Sequence, residues 1–286
     1  MSAWDGSECC VGGVRVIERM LMRSRMLAVA VAVAAAAPFA AVADPLVMAP
    51  DPADDAYEYV VHLGGGVKYQ PKYPGADDYI FVPYPLAAVS RFNIPGVGQF
   101  GGKTSGLSFY PSFGFHGKRE ASDSPALAGT NTVDWAIEVG AGVAYRYDWL
   151  RGFVQARQGF NGYSGQVVDF GFDIITQPMD RFTFVFGPRA TWASDDYMST
   201  YFGVTAAEAA ASAGGPTAAY NASSGFESVG AVARVSYALT ERTFVHVQGE
   251  WERLVDDAAN SPITGDENQF SIGIGLTRKF SFNLFK

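Results

Sequence analysis

Along most of this chain large apolar side chains alternate with small or polar ones, and a repeat of two admits little but β-strands with one apolar face. From Arg181 to Trp192, Phe182, Phe184, Phe186, Pro188, Ala190 and Trp192 oppose Arg181, Thr183, Val185, Gly187, Arg189 and Thr191. In Gln269 to Phe280, Phe270, Ile272, Ile274, Leu276 and Phe280 oppose Gln269, Ser271, Gly273, Gly275, Thr277 and Lys279. Val133 to Asp148 and Val167 to Gln177 split the same way. Tyr57–Tyr69, Tyr79–Phe92, Gly106–Lys118, Arg151–Asn161, Phe226–Leu239 and Thr243–Leu254 bring the total to ten candidate strands. They are long enough to cross a membrane at a tilt, whereas soluble strands average about 5 or 6 residues. An aromatic face opposite a face carrying charge in nearly every strand suits lipid outside and a polar lumen inside. A soluble antiparallel sandwich, the alternative, does not explain those charges. The expected fold is therefore all-β: a transmembrane antiparallel up-and-down β-barrel of about ten strands.

Tyr57, Tyr59, Tyr69, Tyr79, Tyr145, Tyr147, Trp149, Trp192, Tyr237, Trp251 and Phe280 fall near strand ends, where interfacial girdles belong. The connections at 148–150, 178–180 and 240–242 are short, and those at 118–132, 194–225 and 255–267 are long. Short turns place the first set in the periplasm and the second outside. Residues 93–105 stand where a short turn is expected and have room for a further hairpin, which makes twelve strands the alternative count. In the longest loop, Thr205 and Glu208 have capping-box spacing ahead of Ala209, Ala210 and Ala211, and Gly214-Gly215-Pro216 follows. A short helix is expected there.

The N-terminus reads as an export signal. Arg23 and Arg25 precede an apolar run from Met26 to Ala37, and Ala41-Val42-Ala43 has small residues where a signal peptidase reads. This divides the chain into an extension and signal (1–43), a Pro-rich, acidic periplasmic segment expected to be extended (44–56), and an outer-membrane barrel (57–286). Cys9 and Cys10 precede the cut, so the mature chain offers no thiol chemistry. Losing residues 1–43 removes Arg15, Arg19, Arg23, Arg25 and Asp5, Glu8, Glu18, which leaves 17 basic and 26 acidic residues from totals of 21 and 29. Such an acidic protein has no general attraction to nucleic acid. Outer-membrane lipid is its expected surround.

Strand parity sends Glu138, Arg146, Asp169, Asp173, Arg189, Arg234, His246 and Glu250 into the lumen, along with Lys68, Arg151, Arg157, Lys279 and Asp134. Charges of both signs in so narrow a space predict a paired network that fills it; a charged ring lining a pore is the alternative. Ser112, His116 and Asp123 are the one conceivable catalytic set, but no nucleophile elbow surrounds them. No HExxH, EF-hand or phosphate-loop motif occurs. No catalytic residue, metal or cofactor is assigned.

Three stretches carry a resemblance: Tyr69-Gln70-Pro71-Lys72-Tyr73-Pro74-Gly75-Ala76-Asp77-Asp78-Tyr79 followed by Pro83-Tyr84-Pro85; Thr191-Trp192-Ala193-Ser194-Asp195-Asp196-Tyr197-Met198-Ser199-Thr200-Tyr201-Phe202-Gly203-Val204-Thr205; and Leu254 with Asp257-Ala258-Ala259-Asn260-Ser261-Pro262-Ile263. In these the sequence resembles the MipA/OmpV family of outer-membrane proteins, over nearly all of the mature chain. One departure is that Phe280 is followed by six residues ending Phe285-Lys286, rather than closing the chain on an aromatic. The resemblance implies a scaffold that links a lytic transglycosylase and a peptidoglycan synthase to the outer membrane. Tyr197, Tyr201, Phe202, Asp257, Ser261 and Pro262 are the candidate loop or partner motif. The alternative is a surface adhesin or narrow channel acting through loops 118–132 and 194–225.

Overall fold

A computed structural model describes residues 46–48, 51–94, 98–101 and 105–283. The expected signal at 1–43 and the penultimate Phe285 lie outside these residues. Eleven antiparallel strands form one sheet: β1 (Tyr59–Pro71), β2 (Tyr79–Ile94), β3 (Gly98–Gly101), β4 (Ser105–His116), β5 (Ala136–Tyr147), β6 (Leu150–Asn161), β7 (Gln166–Thr176), β8 (Phe182–Ala193), β9 (Gly225–Ala238), β10 (Thr243–Leu254) and β11 (Asn268–Phe282). The ladder order is β3-β2-β1-β11-β10-β9-β8-β7-β6-β5-β4. The first long strand thus pairs with the last, Tyr59 opposite Phe282, and the sheet curls into a nearly closed barrel. Ten strands are the segments predicted by alternation. The eleventh, β3, lies within 93–105, so the described residues hold eleven strands, between the expected ten or so and the alternative twelve.

Burial is inverted relative to a soluble protein. On β8, Phe186 is 44% exposed while its neighbour Val185 is 1% exposed, and on β7 Phe172 is 59% exposed beside the fully buried Asp173. Apolar side chains face outward and polar ones inward, which is favourable only where lipid takes the place of water. Aromatic pairs close the strand ends as expected, with Tyr59 stacked on Phe282 (5.4 Å), Tyr69 on Tyr79 (5.2 Å) and Phe182 against Tyr237 (4.6 Å).

Turns 148–149, 177–181 and 239–242 lie at one rim, with Asp148 and Arg181 at positive φ (53° and 70°). The first of these, only two residues long, needs left-handed backbone to match the strand twist. At the other rim, residues 162–165 join β6 to β7 in a short connection, while the remaining loops fold into a cap. Two of its three helices were not foreseen: α1 (Asp195–Phe202) and α3 (Asp256–Ala259) join the predicted α2 (Ala206–Ala211). The capping box at Thr205 and Glu208 is present on α2. In α1, Asp195 and Asp196 occupy the first turn, where the helix dipole favours acid, and Tyr197, Met198, Tyr201 and Phe202 share one buried face.

The segment before β1 is not extended. Pro52–Ala56 is a 3₁₀ turn capped by Asp51, whose carboxylate accepts from the Ala53 amide. Lys279 donates to Asp51 (2.7 Å) and Asp54 (2.9 Å), Arg91 pairs with Asp55, and Val47 packs on Ile175 and Val185 inside the barrel. The acidic residues that suggested a solvated tail instead neutralise cations at the short-turn mouth, and the segment sits in that mouth.

Candidate functional site

The capped lumen holds the chemistry. Glu138 on β5 is its hub and is 1% exposed. It accepts from Arg157 Nε (2.5 Å) and from the Tyr163 hydroxyl, and it hydrogen-bonds His116 Nε2 (2.7 Å). The same guanidinium reaches Asp169 (2.5 Å), which also accepts from Gln155 (2.7 Å) and Thr191 (3.0 Å). Asp173 sits between Arg151 and Arg189, each at 2.6 Å, and those two guanidinium groups flank the Phe153 ring at 4.8 and 4.9 Å. Across the lumen Lys68 pairs with Glu250 (2.5 Å), Arg234 donates to Gln248 (2.5 Å), and His246 bridges Ser236 (2.8 Å) and Thr277 (2.7 Å).

Seven of the eight network positions read from parity therefore lie in this lumen. The other, Arg146, turns to the short-turn rim, where its Nε donates to the Asp148 carbonyl (2.9 Å). Asp134 is also displaced, being exposed in the loop before β5. Parity missed Glu227. A register shift between Thr191 and Trp192 on the partner strand β8 lets both Glu227 and Ser228 face inward, and Glu227 accepts from Tyr197 (2.8 Å). A bulge leaves no trace in a period of two.

Over the network lies the cap. Tyr163, Tyr197 and Tyr201 surround His116, with ring centroids 5.1 to 6.1 Å from the imidazole. Arg119 is buried beneath α1, donates to the Tyr201 carbonyl (2.7 Å) and the Thr200 carbonyl (3.0 Å), and lies 5.9 Å from the Tyr201 ring centroid. Burial, reinforced by Glu138, pushes the Tyr163 and Tyr201 hydroxyls well up, so both stay neutral. Of the candidate loop motif, Tyr197, Tyr201, Phe202 and Ser261 are interior, and Ser261 donates to the Phe202 carbonyl (2.6 Å). Asp257 accepts from the Ser223 amide (2.8 Å), and Pro262 is exposed. Five of the six residues are thus buried or hydrogen-bonded within the cap. Beneath it remains a chamber of about 190 Å³, whose lining includes Lys68, Glu138, Arg157, Asp169, Glu227 and Glu250 as well as Phe115, Phe153 and Leu254.

Ser112, His116 and Asp123 do not assemble into a triad. Ser112 accepts from Arg157 (3.4 Å), His116 is turned to Glu138, and Asp123 accepts from the Glu120 amide (2.6 Å) and Lys72 (2.9 Å). Among the described residues no group of three His, Cys, Asp or Glu side chains is placed to hold a metal ion.

Two cap carboxylates are expected to make the loops acid-sensitive. Burial alone would raise Asp123, but the Glu120 amide and Lys72 hold it below its ordinary 3.8. Burial likewise opposes Glu208, which the amides of Asn131 and Thr205 hold below 4.5. Depressed folded-state values stabilise the fold above the ordinary values, and that contribution is lost as pH falls through the folded ones. We expect pepsin at about pH 3 to cut within 118–132 and 204–212 while the strands survive, and proteinase K near pH 7 to spare both loops. Intact loops at the acid pH would show that these two carboxylates do not hold them.

Fold and lumen together define an outer-membrane β-barrel whose interior carries a network of paired charges. The family model described as MltA-interacting protein MipA matches residues 63–280, and the chain belongs to that family. No curated protein sequence matches it. Similar solved structures include Neisserial surface protein A (10% identity, 79% of this chain and 97% of that one, TM-score 0.26). Others are OprD from Pseudomonas aeruginosa (11%, 79% and 66%, 0.29) and the outer-membrane protease OmpT from Escherichia coli (10%, 84% and 99%, 0.28).

Proposed function

We propose that this barrel is a structural anchor: a closed body in the outer membrane whose periplasmic rim docks enzymes that cut or build peptidoglycan, a lytic transglycosylase and a peptidoglycan synthase. The observation that carries this reading is the double closure of the lumen. Paired charges cross the middle and leave only a small chamber, the loop cap covers one mouth, and Asp51, Asp54 and Asp55 tie the N-terminal segment into the other. A conduit needs an open path, and an anchor does not. The family's description, MltA-interacting protein, supports the class of partner.

The docking surface on this reading is the short-turn rim, where Trp149, Met179 and Leu239 are exposed. A photoreactive amino acid at Met179, activated in intact cells and followed by denaturing capture, should recover peptidoglycan-active enzymes, while the same group at Pro262 in the cap should not. Capture of these enzymes from Pro262 alone, or from neither site with efficient recovery of the barrel, would sink the proposal. Stepwise ion conductance of the purified barrel in a planar bilayer would favour the channel instead.

A further inference from the structure

Acid is under-matched in the chamber beneath the cap. Glu250 is paired by Lys68, but Glu138 and Asp169 share the single guanidinium of Arg157, with His116 beside Glu138. Glu227 forms no ion pair among the described residues. Its carboxylate accepts from the Tyr197 hydroxyl (2.8 Å), and the residue is 7% exposed. A carboxylate taken out of water favours a counter-charge, which a phenol does not supply.

Two further residues lining the same chamber carry unmatched polar atoms. Gln155 gives its amide N–H to Asp169 (2.7 Å), while its Oε1 has no hydrogen-bond partner although the residue is 2% exposed. The Tyr201 hydroxyl has none either, at 1% exposure. Buried polar atoms are ordinarily satisfied, so these two call for an explanation. Register brings them to one level. Gln155 stands opposite Asp169, Asp169 opposite Thr191, and Thr191 opposite Ser228, with Glu227 turned inward next to Ser228 by the shift on β8. These residues form one tier of the wall, and Tyr197 and Tyr201 of α1 cover it.

The rest of the lining is partly apolar, with Phe153 and Leu254 beside the Tyr197 and Tyr201 side chains. The chamber measures about 190 Å³. An apolar cavity of about 150 Å³ holds benzene, so this one has room for roughly six to eight heavy atoms. Glu252 projects from the inward face of β10 into the same chamber and is exposed, which gives a ligand access from the loop side. Toward the short-turn rim stand the paired Arg151, Asp173 and Arg189, so a ligand enters and leaves by the same side.

We infer that this chamber is a binding site for a small organic amine, whose ammonium donates to Glu227, to Gln155 Oε1 and to the Tyr201 oxygen while its apolar body lies against Phe153 and Leu254. An ammonium carries three donors, and three acceptors await it. The tyrosine rings favour a cation further, and the unmatched acid turns an anion away. A metal ion fits less well, because among the described residues no three His, Cys, Asp or Glu side chains converge to hold one. The site is independent of the anchoring role.

The test titrates the full chain in detergent micelles with a fluorinated benzylamine, followed by fluorine NMR. Saturable binding is expected, tighter by about tenfold or more than that of the matching benzyl alcohol, which also enters micelles but carries no charge. Glu227→Gln keeps an acceptor for Tyr197 and removes the charge. It should weaken the amine by a similar factor and leave the alcohol unchanged, and Gln155→Leu should weaken the amine to a smaller extent. Both variants are checked for folding by heat-modifiable migration on a gel. Equal binding of amine and alcohol by the wild-type chain overturns the proposal, and that comparison decides alone where a variant does not fold. Unchanged amine binding in folded E227Q overturns it too, because the cation then sits elsewhere.

Discussion

Glu138→Ala should destabilise the barrel by about 3–5 kcal/mol, since it leaves buried partners without their shared counter-charge. Arg157 would keep Asp169 as its counter-charge and Ser112 as a long hydrogen-bond acceptor, while His116 and the Tyr163 hydroxyl would each lose a hydrogen bond in an interior with little water to replace it. The effect reads out as a lower urea midpoint for loss of heat-modifiable migration in micelles. Glu138→Gln should cost less, because an amide still accepts from Tyr163. A loss under about 1 kcal/mol for the alanine variant would mean that the lumen is wet enough to screen the pair, as at a surface.

The cap depends on one cation in a comparable way. Arg119→Ala should release α1 and open the loops, at a cost of about 2–4 kcal/mol for two charge-assisted bonds to helix-end carbonyls and a ring contact. Arg119→Lys should recover only part of this, because an ammonium lacks the planar fork that spans both carbonyls. Hydrogen exchange of the amides between 195 and 211 is the direct measure. It should accelerate in the alanine variant while the β7–β8 ladder stays protected. Unchanged protection in α1 would assign the cap's rigidity to the Tyr197, Met198 and Phe202 packing alone.

Much of the architecture was readable in a single repeat. Alternation along Arg181–Trp192 or Gln269–Phe280 reports which face meets lipid, because every second side chain shares an environment whatever the strand's neighbours are. Strand number came out one short because β3, four residues long, is too brief to show a period. The helix α2 was legible in its capping box, whereas α1 was not, its buried face being set by the loops it covers.

Alternation along the chain marks the membrane face, the lumen face, the charges that must be buried and the strand lengths, since each depends on neighbours in sequence. It does not say which charges meet. Lys68 and Glu250 stand 182 residues apart and come together only through the register of closure between β1, β11 and β10. Nor does it place the acidic segment before β1 on Lys279 and Arg91, turn Tyr197 and Tyr201 inward, or leave β2 and β4 unzipped. Pro83, Pro85 and Pro111 are plain in the sequence, but a proline is a broken rung in one register and a harmless edge in another. Strand order decides between them, because the direction of each missing amide depends on which neighbour the strand has.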